Sequence, residues 1–372
     1  MERWHATAKD SRGFIVSGDR QAGSGNTLGH HRFAVLDGWR AISILLVMAT
    51  HMLPLGPKWM QLNSTAGPAG MSLFFTLSGF LITMTLMRSD RVLPFFIKRL
   101  SRIVPLAVVG GTLILLLQAA PARAYLPVWF YYLNYTSGVD GVKHISHFWS
   151  LCVEMHFYVF VGLLVGVIGR RGLMVLPLLA LAVTAFRVLN GVHINVNTHF
   201  RVDEILAGAT LALCYAGAFG ARGLVIGSAL GRLPLVVLLV LFALCCHPAS
   251  GPAQYLRPYT GAAVVAATLW SRSWYTPLLE SRPLRYIAEI SYALYVIHPA
   301  SMMGWLGTGE TIEKYLKRPL CFAITFGLAH LSTFYFEGPL TKMGRRLADR
   351  LDSADRSSEP PHSKAERINQ QP

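Results

Sequence analysis

Between Phe33 and Phe336 the chain alternates long apolar runs with short polar joints. A hydrocarbon core of about 30 Å needs roughly 20 mostly apolar residues per helix, and about ten runs approach that length. They lie near Val35–Leu55, Gly70–Met87, Ile103–Ala120, Phe148–Ile168, Gly172–Leu189, Phe200–Phe219, Leu233–Cys246, Tyr259–Ser271, Leu284–Leu306 and Pro319–Phe336, the seventh and eighth being the weakest. Gly, Pro and aromatic residues mark the joints, as at Pro121–Pro127 and Pro248–Pro258, and no repeat of fixed period is evident. The pattern predicts an all-α fold, a polytopic integral membrane helix bundle of about ten transmembrane helices.

Residues 1–32 are polar and Gly/Ser-rich without an apolar signal-peptide core, so they read as a cytoplasmic tail and the first span as its own insertion signal. The transmembrane domain is expected over residues 33–347. Residues 348–372, charged and then Ser/Pro/Gln-rich, read as a disordered cytoplasmic tail. Composition agrees: 53% of residues are hydrophobic and 14% charged, against about 45–50% and about 25% in soluble domains. This excludes an ordinary soluble globule.

The net charge of +15 does not indicate nucleic-acid binding, because Lys and Arg form short clusters between apolar runs rather than one basic face with interleaved aromatics. Membrane sidedness explains it better. With the N-terminus inside, the opposite side keeps only Lys58, Arg123, Lys143, Arg187, Arg201, Arg257, Lys314, Lys317 and Arg318 of the 34 Lys and Arg residues. The positive-inside rule then puts both termini in the cytoplasm, which requires an even number of spans. The five cysteines are scattered without metal-ligand spacing and read as inert core residues.

Ionisable groups inside spans are costly and therefore functional candidates. Arg40 and His51 lie in the first run, and eleven helical steps return to nearly the same face about 16 Å further along. Asp37 stands three residues before Arg40 and can pair with it. An imidazole suits deprotonation of a hydroxyl near neutral pH; the bland alternative is a histidine bonded to a backbone carbonyl. Glu154 sits in the apolar and aromatic fourth run and needs a partner. It either orients His51 or binds an arginine structurally. Neither His147 nor His156 forms a zinc frame with Glu154.

Arg99 and Arg102, three apart, present neighbouring guanidinium forks suited to phosphate, unless they are positive-inside anchors. Ser78-Gly79 offers small residues for close helix packing. Arg201, Asp203, Ser291, Tyr292, His298 and Glu337 are further polar positions, each read singly as structural.

Together these segments resemble membrane acyltransferase family 3, which acylates bacterial surface and exported glycans. Leu36-Asp37-Gly38-Trp39-Arg40-Ala41 is similar to the opening motif, with Trp39 where the family more often has leucine, and Arg40 with His51 fits its Arg/Lys, ten residues, His pattern. Phe75-Thr76-Leu77-Ser78-Gly79-Phe80-Leu81, Arg99-Leu100-Ser101-Arg102 and Trp149-Ser150-Leu151 with Glu154 match further motifs in order. So do Arg201-Val202-Asp203, Ser291-Tyr292-Ala293-Leu294-Tyr295 with His298, and Phe336-Glu337-Gly338-Pro339.

The resemblance implies transfer of an acyl group, most often acetyl, from acyl-CoA as co-substrate to a carbohydrate or glycolipid hydroxyl at the bacterial cytoplasmic (inner) membrane. No permanently bound cofactor or metal is expected. The phosphates of CoA would meet Arg40, Arg99 and Arg102, with His51 as base and Glu154 as its orienting group. No fused extracytoplasmic hydrolase-like domain is expected after the last span, so any partner needed to complete transfer is expected to be absent here. A secondary transporter or glycan flippase is the alternative, and a catalytically idle scaffold the third reading.

Overall fold

The computed structural model describes residues 33–89, 91–136 and 142–358, and all regular structure within them is helical. The principal helices are α1 (Ala34–Met52), α2 (Leu62–Arg88), α3 (Val92–Leu117), α4 (Trp149–Ile168), α5 (Leu176–Leu189) and α6 (Asp203–Tyr215). They continue as α7 (Gly220–Gly231), α8 (Leu235–Cys246), α9 (Arg257–Trp270), α10 (Arg282–Ile297), α11 (Thr311–Leu331) and α12 (Gly338–Ser358).

Among the described residues six helices are long and apolar enough to cross a membrane, and eight spans result if each of two bent pairs counts as one. This differs from about ten separate runs. The pair α6 and α7 bends by 113° and the pair of α8 with Pro248–Trp270 by 117°. Gly217 and Gly220 adopt left-handed backbone in the first joint, and Pro248 and Pro252 interrupt the second, where hydropathy registers only continuing apolarity. The ninth run also shortens: α10 stops at Ile297 and short 3₁₀ turns follow.

α1 packs against α2 and α10, and α2 also packs against α6. The α2–α6 crossing brings backbones together: a Cβ on Gly79 would lie 1.9 Å from the Ile205 carbonyl oxygen, and one on Gly208 would lie 2.0 Å from that of Thr76. The Ser78-Gly79 segment therefore does mediate close packing. Asn63, at the start of α2, closes the end of α1 by donating to the carbonyls of Thr50 at 3.0 Å and Leu53 at 2.7 Å. These are carbonyls that a helix end leaves without partners.

The charged segment after residue 347 is not wholly without structure, since α12 continues to Ser358. It is held on α3 by ion pairs of Asp349 with Lys98 at 2.8 Å and of Asp352 with Arg91 at 3.4 Å. Residues 1–32 and 359–372, both expected to be tails, lie outside the described residues.

Candidate active site

Arg40, Ser43, Ile44, Val47 and His51 recur at three- and four-residue steps and so form one stripe along α1. The first four line a narrow cavity whose other walls are Met71 and Phe74 of α2 and Ser291 and Tyr295 of α10. Its volume is about 10 Å³, room for a single water. The stripe thus joins a cationic end to an imidazole end along a buried seam.

At the cationic end, Arg40 lies within electrostatic reach of Arg102, Asp37, Arg99 and Glu154. All three guanidinium groups are half-buried. Arg99 makes a long 3.5 Å contact with the Thr85 hydroxyl, whereas Arg40 and Arg102 have no hydrogen-bond or ion-pair partner among the described residues. Neighbouring guanidinium forks with so few direct bonds among the described residues suit an anion with several oxygens. Buried Glu337 faces Arg102 from a π-helical turn, Ser332–Glu337, and accepts from the Ser332 hydroxyl at 3.0 Å.

Glu154 belongs to this end. Its carboxylate, 6% exposed, accepts from the hydroxyls of Ser78 and Tyr158, and it forms no hydrogen bond to His51 among the described residues. The orienting role for His51 is therefore not what the geometry contains; Glu154 instead compensates the arginines. Tyr158 stands one helical turn after Glu154, a spacing that is visible in sequence.

At the other end His51 occupies the last turn of α1. It is exposed rather than enclosed, and its Nδ1 bonds the Val47 carbonyl at 2.8 Å. Its neighbour is His298, at the end of α10, with ring centroids 5.2 Å apart. His298 is fully buried, and the His147 ring lies 5.4 Å from it, centroid to centroid. Sequence reasoning noted His298 without giving it a role, because periodicity does not reveal which helix ends meet. The rings do not converge on one point: among the described residues no His/Cys/Asp/Glu group is arranged to hold a metal ion. Close in sequence to His147 and His298, an open cleft of about 350 Å³ is lined by Gln118, Lys143, His144, Met302, Met303 and Thr308, among others.

A second buried ionic group is structural. Arg187 pairs with Asp203, and Glu204 takes Arg257 at 2.7 Å and Arg201 at 3.4 Å. The Arg201 guanidinium also lies over the Trp149 ring, 5.4 Å from its centroid. All five charged side chains are at most 2% exposed, and their pairs tie α5, α6 and α9 together.

The acyltransferase domain family model matches residues 33–335. A "Putative O-acetyltransferase" of Staphylococcus aureus strain COL is 27% identical over 83% of this chain and 57% of its own length. The "Putative peptidoglycan O-acetyltransferase YrhL" of Bacillus subtilis strain 168 is 25% identical over 86% of the chain and 57% of its own length. "O-acetyltransferase OatA" of Staphylococcus aureus strain NCTC 8325 is 25% identical over 83% and 57%. The chain thus spans little more than half the length of these relatives, and no solved structure matches it. The α1 stripe, the Arg99–Arg102 pair and Glu154 all fall within the matched region, and the chain belongs to acyltransferase family 3.

Proposed function

We propose that the protein is a membrane O-acyltransferase that moves an acyl group, acetyl foremost, from acyl-CoA to a hydroxyl of a cell-surface or exported carbohydrate. The observation that carries this reading is the α1 stripe, which runs from unengaged guanidinium groups through a narrow cavity to His51. CoA phosphates occupy the cradle of Arg40, Arg99 and Arg102. The pantetheine arm follows the seam, which must widen by movement of Met71 and Phe74 because it now has room for only one water.

With Nδ1 directed at the Val47 carbonyl, a neutral His51 carries its proton there and keeps the Nε2 lone pair free. Nε2 takes the acceptor's hydroxyl proton as the oxygen attacks the thioester carbon. The tetrahedral intermediate then collapses, the carbon–sulfur bond breaks, and the thiolate takes the proton from His51 to leave as free CoA. No acyl-enzyme is required. The acceptor approaches by the cleft beside His144 and Met302. Peptidoglycan is one acceptor to test, after the name of the YrhL relative.

On this reading the chain crosses a bacterial cytoplasmic membrane an even number of times, eight if each bent pair is one span, with both termini inside. Of the outer-side cations, Arg187, Arg201 and Arg257 are buried against two carboxylates, Asp203 and Glu204, and the orientation is supported by the Lys and Arg count alone. The bent helix pairs follow one another in the chain instead of occupying matching places in two halves, so they lend no support to the transporter alternative.

Membranes carrying wild type or His51→Ala, supplied with radiolabelled acetyl-CoA and extracted surface polysaccharide, test the reading. Label is expected on the glycan with wild type only. Equal transfer by both removes His51 from the mechanism, and none with wild type removes this donor and acceptor.

A further inference from the structure

His298 is the best-enclosed imidazole beside the proposed base, and its hydrogen bonding fixes its tautomer. Its Nδ1 faces two carbonyl oxygens, Tyr295 at 2.8 Å and Leu294 at 3.2 Å. Carbonyls only accept, so Nδ1 carries the hydrogen and Nε2 the lone pair. That Nε2 is fully buried and has no hydrogen-bond partner among the described residues. A buried acceptor left without a donor is unfavourable.

His51 presents the complementary situation. Its Nδ1 is likewise committed to a carbonyl, so any further proton it takes must reside on Nε2. A centroid spacing of 5.2 Å admits an Nε2–H···Nε2 bond of about 3 Å when the two edges face one another. While both rings are neutral, two lone pairs compete for no hydrogen; once His51 is protonated, the pair is satisfied.

We propose that His298 is a positioning residue for the acyl transfer, accepting the Nε2–H of protonated His51 and thereby raising its proton affinity. This rests on the reading of His51 as the base. The hydroxyl proton arrives on Nε2 of His51, is held there against His298 through the lifetime of the tetrahedral intermediate, and departs with the thiolate sulfur. Among the described residues the titratable groups facing His298 are His51 from α1, His147 from the turn before α4 and Tyr295 one turn back on α10. Only His51 both reaches it and is exposed.

The test uses the full-length protein in detergent and reads protonation independently of catalysis. Diethyl pyrocarbonate reacts with unprotonated imidazole, and peptide mass spectrometry follows modification at exposed His51 against pH. In His298→Leu the midpoint should fall by about one pH unit, as expected for losing a hydrogen bond to a charged group. His298→Gln, whose amide oxygen restores an acceptor, should recover most of that shift. His147→Phe should leave the midpoint in place. Equal midpoints in wild type and both His298 variants overturn the proposal, as does a shift in His147→Phe as large as that in His298→Leu. The acid limb of kcat/KM for acetyl transfer should move in parallel with the midpoint. A midpoint that moves while the limb stays fixed leaves the imidazole pair intact and overturns the assignment of His51 as base.

Discussion

The hydroxyl of Ser78 on α2 donates to the same Glu154 carboxylate oxygen on α4 that takes the hydroxyl of Tyr158. The two hydroxyls are 3.4 Å apart. One buried oxygen thus links two helices and keeps a negative charge beside Arg40 and Arg99. Ser78→Ala and Tyr158→Phe should each destabilise the protein by about 1.5–3 kcal/mol, the range for hydrogen bonds to charged groups. Because they share one acceptor, the double variant should depart from the sum by more than about 0.5 kcal/mol. A double-mutant cycle on unfolding in detergent checks this, and additive losses would dissolve the network.

The α2–α6 crossing makes a sharper demand. Gly79→Ala puts a methyl 1.9 Å from the Ile205 carbonyl oxygen, so the helices must separate. The expected cost is about 3 kcal/mol, with loss of folded protein in the membrane. Gly327 on α11 has no atom within 4 Å of the position its Cβ would take. Gly327→Ala should therefore be neutral or stabilise by up to about 1 kcal/mol. Comparable yields and melting temperatures for the two variants would contradict the crossing.

These cases mark where sequence reading succeeds and where it stops. The α1 stripe was legible because helical periodicity alone puts Arg40 and His51 on one face. Gly79 was legible as a small residue in an apolar run. The bends after Tyr215 and Cys246 were not, since apolar content continues on both sides of each joint. His298 beside His51 was not legible either: an apolar face says which side of a helix is buried and not which helix covers it. Glu154 demanded a partner, but its surroundings alone did not choose between His51 and an arginine, and gave no sign of the Ser78 and Tyr158 hydroxyls that bind it. The structured part of α12 was hidden by its charge, which supplies ion pairs to α3.

That docking predicts a role for α12 in donor binding. Gly344 lies against Ser101, between Arg99 and Arg102 in sequence, where a Cβ would come 2.1 Å from the hydroxyl oxygen. Arg345 beside it is within electrostatic reach of Arg99. Gly344→Leu should lift α12 from α3 and raise KM for acetyl-CoA several-fold while changing kcat little. Asp349→Asn, at a carboxylate 67% exposed, should cost less than about 1 kcal/mol and leave KM unchanged. An unaltered KM in Gly344→Leu would separate α12 from the donor site.

Higher ionic strength should raise KM for acetyl-CoA in wild type, since half-buried arginines attract phosphate through a partly screened field. Arg102→Gln should flatten that dependence, because it removes a guanidinium that forms no hydrogen bond or ion pair among the described residues. Assays between low and physiological salt decide it; parallel salt curves for the two proteins would mean that the phosphates bind elsewhere.

The two kinds of ion pair in this molecule should differ several-fold in what removal of one member costs. Arg257 donates to Glu204 at 2.7 Å with both groups at most 1% exposed, so Arg257→Leu leaves that carboxylate with Arg201 alone at 3.4 Å. The buried charge is then poorly compensated, and the loss should be about 3–5 kcal/mol. Arg272 and Glu280, 72% and 29% exposed, exchange their bond for water, so Glu280→Gln should cost about 0–1 kcal/mol. Unfolding temperatures in detergent distinguish the two. An Arg257→Leu protein as stable as Glu280→Gln would mean that apolar packing alone, without the ionic cluster, holds α6 to α9.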